Sequence, residues 1–148
     1  VLLSVSNKSS EKWNSLQKPA PSLIVQSYIH SSENVTVRVR IKGDKAFLTI
    51  KGKTVGVSRS EFEYEIPLTD AEEMISQFSE KQIRKLRYEI PLGKHTWEVD
   101  VFEGKIAGLI LAEIELDSED ELFEKPDWVT EDVSSDSGYY NAVLIEKC

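Results

Sequence analysis

Several short segments of this chain alternate charged residues with apolar ones, and the two signs of charge occur in different segments. Three cations lie at every second position of residues 37–42 (VRVRIK), and carboxylates recur at the same spacing in Glu61–Ile66 and in residues 113–116 (EIEL). Residues 97–101 (WEVDV) form a further acidic segment. Side chains of a β-strand point alternately to its two faces, so each segment would have one charged and one apolar face. Such a charged face is either solvated or rolled inward around an ionic ligand, and the second arrangement is the one that predicts a function.

The pattern along the chain predicts an α+β fold. Eight strands are expected at residues 1–7, 22–30, 35–42, 45–53, 57–66, 82–91, 95–103 and 107–116. Helices are expected to begin at Ser10, at the capping-box-like Thr69-Asp70-Ala71-Glu72, and near the C-terminus through Tyr139 and Ile145. Most connections are too short for crossovers, so neighbouring strands should be antiparallel.

The bulk composition limits the possible classes of protein. The 148 residues fit one domain, residues 1–148, with 40% hydrophobic and 30% charged residues. A net charge of −8 argues against a general nucleic-acid binder. No apolar stretch is long enough to span a membrane, and the single cysteine, Cys148, indicates a reducing cytoplasm. We expect neither a nucleic-acid nor a membrane partner, and a monomer or homodimer.

Seven motifs, taken in order, resemble those of the CYTH family, the triphosphate tunnel metalloenzymes. The resemblance covers residues 26–147 and rests on residues 38–43 (RVRIKG), 47–52 (FLTIKG), 58–64 (SRSEFEY), 83–88 (IRKLRY), 95–102 (HTWEVDVF), 112–116 (AEIEL) and 139–141 (YYN). It implies an eight-stranded antiparallel β-barrel whose lumen is a charged tunnel, with helices packed outside. The residues expected to face those helices are Val39, Ile50, Phe62, Tyr64, Trp97, Val99 and Ile114.

The resemblance also implies a site for a triphosphate or polyphosphate and for Mg²⁺ or Mn²⁺. The matching phosphate-binding positions are Arg38, Arg40, Lys51, Arg59, Lys85 and Arg87. The candidate metal ligands are Glu61, Glu63, Asp100, Glu113 and Glu115, with Glu98 as an outer partner. Guanidinium groups bind phosphate oxygens bidentately, and carboxylates suit hard divalent cations. For any single residue the alternative is a cross-strand ion pair on a solvated face, and the identity of the triphosphate stays open.

One departure from the family pattern concerns the first strand. The family begins with Glu-x-Glu-x-Lys, and counting back from Trp13 assigns those positions to Val1, Leu3 and Val5. This count predicts weakened metal binding and impaired catalysis. A one-residue shift of the strand, which would turn Leu2 and Ser4 inward instead, is the alternative register.

Two functions from different classes follow. The first is a triphosphate-binding tunnel protein of metal-dependent triphosphatase ancestry, impaired at its first strand. The second is an engineered, non-enzymatic scaffold on the same barrel, with a redesigned N-terminal strand, a ligand pocket or a grafted segment. Tripolyphosphate with metal should raise the melting temperature of the first and not of the second.

Overall fold

The computed structural model describes residues 2–4, 10–56, 58–79, 81–118, 120–139 and 141–148. The chain divides into two compact units. Unit 1 comprises Val1–Ser22 and Lys85–Tyr140, and unit 2 comprises Leu23–Arg84 and Asn141–Cys148. The single-domain organisation stays a prediction.

The predicted order of strands and helices is recovered in the part of the chain that is described, with one additional short strand at Glu131–Asp132 that was not predicted. The elements are β1 (Leu2–Ser4), α1 (Ser10–Ser15), β2 (Ser22–Ser31), β3 (Val35–Lys42), β4 (Lys45–Gly52), β5 (Glu61–Ile66), α2 (Leu68–Phe78), β6 (Ile83–Leu92), β7 (His95–Phe102), β8 (Ile110–Glu113), β9 (Glu131–Asp132) and α3 (Asn141–Leu144). Short 3-10 helices occur at Gly104–Ile106, Ser137–Tyr139 and Ile145–Lys147. The predicted C-terminal helix is therefore broken into short turns, and Tyr140 lies outside the described residues. None of the described helices is long and apolar enough to cross a membrane.

Unit 2 contains antiparallel strands in the order β5-β4-β3-β2, with α2 packed against β3 and β4. The apolar face of this sheet meets the helix, because Val39 and Ala46 are buried with Ala71 and Ile75 of α2. The β3–β4 turn is tight, and Gly43 supplies its left-handed conformation at a φ of 61°. Alternation along β3 therefore leaves the arginines on the face away from α2.

The prediction that Phe62 and Tyr64 lie beneath helices is wrong. Their exposed fractions are 54% and 57%. The physical reason is their position on β5, which pairs with β4 at one end of the strand order, whereas α2 packs against β3 and β4. Alternation assigned these two residues to the apolar face of the sheet but did not determine whether a helix covers it there.

Unit 1 contains antiparallel pairs in the order β6-β7-β8-β1-β9. Trp97, Val99 and Ile114 are buried as predicted. Their cover comes largely from aromatic side chains, since Trp128 lies 6.0 Å from Trp97 and 5.3 Å from Trp13 of α1 between ring centroids, in edge-to-face arrangements. The apolar face is thus closed by one short helix and a loop rather than by long helices.

The backbone register of β1 differs from the one expected when the first-strand positions are counted back from Trp13. Leu3 is paired with Ala112, a buried residue of the apolar cluster, while Leu2 is paired with Glu113 and Ser4 with Leu111. Residues directly opposed in an antiparallel pair share a face of the sheet. This backbone register favours the alternative count at positions 2 and 4, and the assignment of the family's first-strand positions stays a prediction. Val1 and Val5 lie outside the described residues.

Candidate functional site

The charged face of unit 2 is organised around Arg38. Opposed positions across three strands place Arg38 beside Thr49, and Thr49 beside Glu63. Arg38 Nη2 donates to Thr49 Oγ1 at 3.3 Å, Thr49 Oγ1 donates to Glu63 Oε1 at 3.0 Å, and Arg38 Nη2 lies 4.0 Å from Glu63 Oε1. The guanidinium is therefore oriented by a hydroxyl and by a more exposed carboxylate.

Lys51 lies on the same face, opposite Glu61, with 3.9 Å between Nζ and Oε1. Burial lowers the pKa of Lys51 below its ordinary value, Glu61 opposes that shift, and the positive charges of Arg38, Arg59 and Arg40 add to it. An arriving anion would favour the protonated form again. Lys51 is therefore positioned to respond to a bound anion.

Arg40 and Arg59 each donate one hydrogen bond from Nε to an uncharged oxygen. Arg40 Nε donates to Gln26 Oε1 at 2.8 Å, and Arg59 Nε donates to the carbonyl oxygen of Gly52 at 2.6 Å. Arg59 follows the bridge residue Ser58 rather than lying in a strand. Both contacts hold a guanidinium in place without neutralising it.

Arg38 carries a buried donor that nothing in the described part of the chain satisfies. Its side chain is 10% exposed, and no hydrogen-bond partner of Nε is found among the described residues. Buried donors in proteins are nearly always paired with protein, water or ligand. This N–H is therefore available to an acceptor that the described residues do not supply.

The charged face of unit 1 centres on Asp100. Arg87 donates to both carboxylate oxygens, from Nε at 2.8 Å and from Nη2 at 3.0 Å, and Lys85 Nζ lies 2.8 Å from Oδ2. Arg87 Nη1 also lies 2.9 Å from Glu98 Oε2. Lys85 is fully buried, and this carboxylate helps to compensate the charge of its ammonium.

The pKa values of this cluster follow from those contacts. Burial would raise the pKa of Asp100, but hydrogen bonds from Arg87 and the charge of Lys85 outweigh burial and lower it. Burial would lower the pKa of Arg87. The hydrogen bond to Asp100 and the charge of that carboxylate outweigh burial, so this pKa is raised. Asp100 is thus anionic at neutral pH, and in this arrangement it positions two cations.

A cavity of about 430 Å³ in unit 1 is lined mainly by carboxylates. Glu98 and Glu113 are opposed across β7 and β8, and Glu115 lies two residues beyond the end of β8. The full lining is Lys94, His95, Thr96, Glu98, Glu113, Glu115, Asp117 and Glu121. Two like charges placed opposite each other destabilise a sheet unless a cation lies nearby.

Glu121 joins the acidic loop after β8 to the start of β7 through its side-chain contacts. Glu121 accepts a hydrogen bond from the Asp117 backbone N–H, and its Oε1 lies 3.0 Å from His95 Nε2 and 3.1 Å from Lys94 Nζ. These contacts, with the Asp117 N–H contributing most, lower the pKa of Glu121 to about 2. Asp117 and Glu121 thus contribute this loop to the lining of the cavity.

The donor chemistry of this cavity fits a hard divalent cation, because carboxylate oxygens are the preferred ligands of Mg²⁺ and Mn²⁺. Among the described residues, however, no three His, Cys, Asp or Glu side chains are gathered as a metal-binding group. Of the predicted ligands, Glu113 and Glu115 line the cavity, whereas Glu61 and Glu63 lie in unit 2 beside Lys51 and Arg38.

The predicted site residues therefore fall into two described sets. Unit 2 brings Arg38, Arg40, Lys51, Glu61 and Glu63 to one sheet face, with Arg59 close enough to influence Lys51. Unit 1 brings together Lys85, Arg87, Glu98 and Asp100. Sequence reasoning missed Thr49 and Gln26. Alternation could have found them, since both are uncharged polar residues that register onto the arginine face.

Strands with one charged and one apolar face, together with buried cations held by carboxylates, define an α+β protein with a charged sheet face in each unit. The CYTH domain model matches residues 4–147, so the chain belongs to the CYTH family. This confirms the predicted resemblance and the predicted fold class.

Two curated relatives are similar over most of their length. The chain is 44% identical over 139 residues to an inorganic triphosphatase of Acetivibrio thermocellus, covering 93% of this chain and 88% of the relative. It is 34% identical over 124 residues to an inorganic triphosphatase of Nitrosomonas europaea, covering 80% and 81%.

Solved structures agree with this assignment. The crystal structure of an inorganic triphosphatase superposes with a TM-score of 0.70 at 26% identity, covering 97% of this chain and 91% of that one. A Pyrococcus furiosus protein superposes with a TM-score of 0.54 at 21% identity, covering 79% and 78%, and supports the fold alone.

Proposed function

We propose that this chain binds inorganic triphosphate as the phosphate-binding domain of a metal-dependent triphosphatase. The single observation that carries the proposal is Arg38, a nearly buried guanidinium whose Nε has no acceptor among the described residues. Phosphate and carboxylate oxygens are the acceptors that a guanidinium binds most strongly. The names of the two curated relatives support the choice of inorganic triphosphate.

The proposed roles follow the charges of each unit. In unit 2, Arg38, Arg40, Lys51 and Arg59 are the proposed phosphate-binding residues. In unit 1, Lys85 and Arg87 have this role, with Asp100 as the carboxylate that positions them. Binding by several fixed cations neutralises the ligand without reorganisation, which is the main requirement of phosphoryl transfer.

The proposed reaction is hydrolysis of a terminal phosphoanhydride. Water adds to the terminal phosphorus, the bridging P–O bond breaks, and pyrophosphate leaves as orthophosphate forms. A bound Mg²⁺ or Mn²⁺ would neutralise phosphate charge and orient the water. Glu113 and Glu115 are the proposed metal-binding residues of unit 1, and Glu61 and Glu63 are candidates of unit 2. Impairment by loss of first-strand charges is not part of the proposal, because position 3 pairs with Ala112.

The test is the melting temperature of the chain with tripolyphosphate, alone and with Mg²⁺ or Mn²⁺, followed by calorimetric titration. A ligand that binds only the folded state raises the melting temperature by mass action. No rise and no heat at millimolar ligand would refute the proposal, and would favour the non-enzymatic scaffold of the sequence analysis. Cytoplasmic location and a monomeric or dimeric state stay predictions from the sequence.

A further inference from the structure

A second buried donor lies on the arginine face of unit 2, at a position outside the predicted set of site residues. In the antiparallel pairing of β2 with β3, Gln26 is opposed to Arg40 and Tyr28 to Arg38. Gln26 thus shares a sheet face with two arginines. Gln26 is fully buried, which is unusual for a glutamine.

The orientation of the Gln26 amide is fixed by chemistry. Arg40 Nε lies 2.8 Å from the amide oxygen, and a guanidinium is only a donor. The oxygen must therefore face Arg40, and the alternative orientation of the amide, which would bring two donors together, is excluded. The –NH₂ group necessarily points to the other side of the side chain.

That –NH₂ group has no partner among the described residues, and the same holds for Nε of Arg38. Both groups are donors, both are buried, and both belong to the same sheet face. Buried polar groups are almost always satisfied, so these two donors of the face each call for an acceptor. An oxygen-rich anion would supply them.

We propose that Gln26 is a ligand-contacting residue of the triphosphate site, donating from Nε2 to a phosphate oxygen while its amide oxygen holds Arg40 in position. This inference rests on the proposed function and adds a neutral donor to the proposed phosphate-binding cations of unit 2. A neutral amide adds a directional hydrogen bond but no charge. It therefore favours a ligand that places an unprotonated oxygen at one fixed point. Gln26 therefore contributes to selection among polyphosphates.

Two substitutions separate donation from positioning. Gln26→Glu keeps an oxygen for Arg40 but replaces the donor with an atom that repels phosphate. Methionine is similar in shape to glutamine, so Gln26→Met removes both the amide oxygen and the –NH₂ donor. Gln77→Met, the same exchange at an exposed position of α2, is the matched control. Affinity for tripolyphosphate with Mg²⁺ is measured by calorimetry, and each ligand-free variant is melted to establish that it is folded.

We expect Gln26→Met and Gln26→Glu each to weaken binding roughly tenfold or more, the scale of a lost hydrogen bond to a charged group, and Gln77→Met to bind like the unsubstituted chain. A double-mutant cycle with Arg40→Met tests independence. If Gln26 donates to the ligand itself, Gln26→Met still weakens binding in the Arg40→Met background.

The outcomes that overturn the inference are distinct. An affinity unchanged in Gln26→Glu, or a Gln26→Met effect that vanishes in the Arg40→Met background, leaves Gln26 only the positioning role and refutes donation to the ligand. If Gln26→Met does not fold, Gln26→Glu decides alone. An unsubstituted chain that binds no tripolyphosphate refutes the proposed function, and the inference with it.

Discussion

Asp100 accepts two hydrogen bonds from Arg87, one on each carboxylate oxygen, at 2.8 and 3.0 Å. The same carboxylate lies 2.8 Å from the ammonium of Lys85, which is fully buried. One anion thus fixes two cations that the sequence had assigned to phosphate binding. Both side chains are held in place before any ligand arrives, which reduces the entropy lost on binding.

Asp100→Asn should destabilise the fold by about 3–5 kcal/mol, because it removes the negative charge beside a buried ammonium. Glu98→Gln is the control. Glu98 also contacts Arg87, but it is 42% exposed, so its loss should cost at most about 1 kcal/mol. Denaturant unfolding at pH 7 measures both. Equal losses for the two variants would show that Asp100 is not needed to compensate Lys85.

Arg38→Ala should weaken tripolyphosphate binding by about 1–3 kcal/mol, the scale of a lost charge-assisted contact. Lys53→Met removes one cation from an exposed side chain and serves as the control for net charge. Calorimetry at two salt concentrations compares them. A similar loss of affinity in both variants would indicate general electrostatic attraction rather than a site at Arg38.

Binding should weaken as the pH rises through the pKa of Lys51. Burial lowers that pKa below its ordinary value of 10.5, and a bound anion favours the charged form, so binding at alkaline pH is coupled to proton uptake. Lys51→Arg keeps its charge throughout this range and should move the loss of affinity to higher pH. Titrations in buffers of different ionisation enthalpy measure the proton uptake, and its persistence in Lys51→Arg would contradict this explanation.

Glu121 should stabilise the fold most above pH 4.5. Its pKa is lowered from 4.5 to about 2, so the folded state favours the carboxylate, and this stability is lost as the pH falls from 4.5 towards 2. Glu121→Gln should therefore be less stable than the unsubstituted chain at pH 7, with the difference shrinking in acid. Glu124→Gln, an exposed neighbour in the same segment, is the control. A difference that is constant from pH 7 to pH 3 would refute this coupling.

Leu3→Glu should destabilise the fold more than Leu2→Glu. Position 3 pairs with Ala112, which is buried in the apolar cluster of unit 1, whereas position 2 pairs with Glu113. A carboxylate introduced opposite an apolar core is costly to desolvate. Adding a divalent cation should stabilise Leu2→Glu alone, because only there would two carboxylates be opposed. Thermal unfolding with and without Mg²⁺ checks the register. If Leu2→Glu were the more destabilising variant, the assignment obtained by counting back from Trp13 would be supported instead.

The alternation of charged and apolar residues determined which residues each strand could bury. Val39, Trp97 and Val99 are buried as predicted because a strand with charges at every second position has only one face that can enter a core. The pattern also predicted that the charged residues of a strand share one face, and the resemblance to the CYTH family implied which of them belong to a site. Local sequence carries this information, since the side-chain period of a strand is fixed by its backbone.

Tertiary structure alone decided which element covers each sheet face and in which register each strand pairs with its neighbour. Phe62 and Tyr64 are exposed because α2 packs against β3 and β4, and nothing within β5 encodes that choice. The register of β1 depends on pairing with β8, where a shift of one residue exchanges the faces. The unpaired donor of Gln26 likewise exists only because folding buries it beside Arg40, for desolvation and hydrogen-bond satisfaction are properties of the packed molecule.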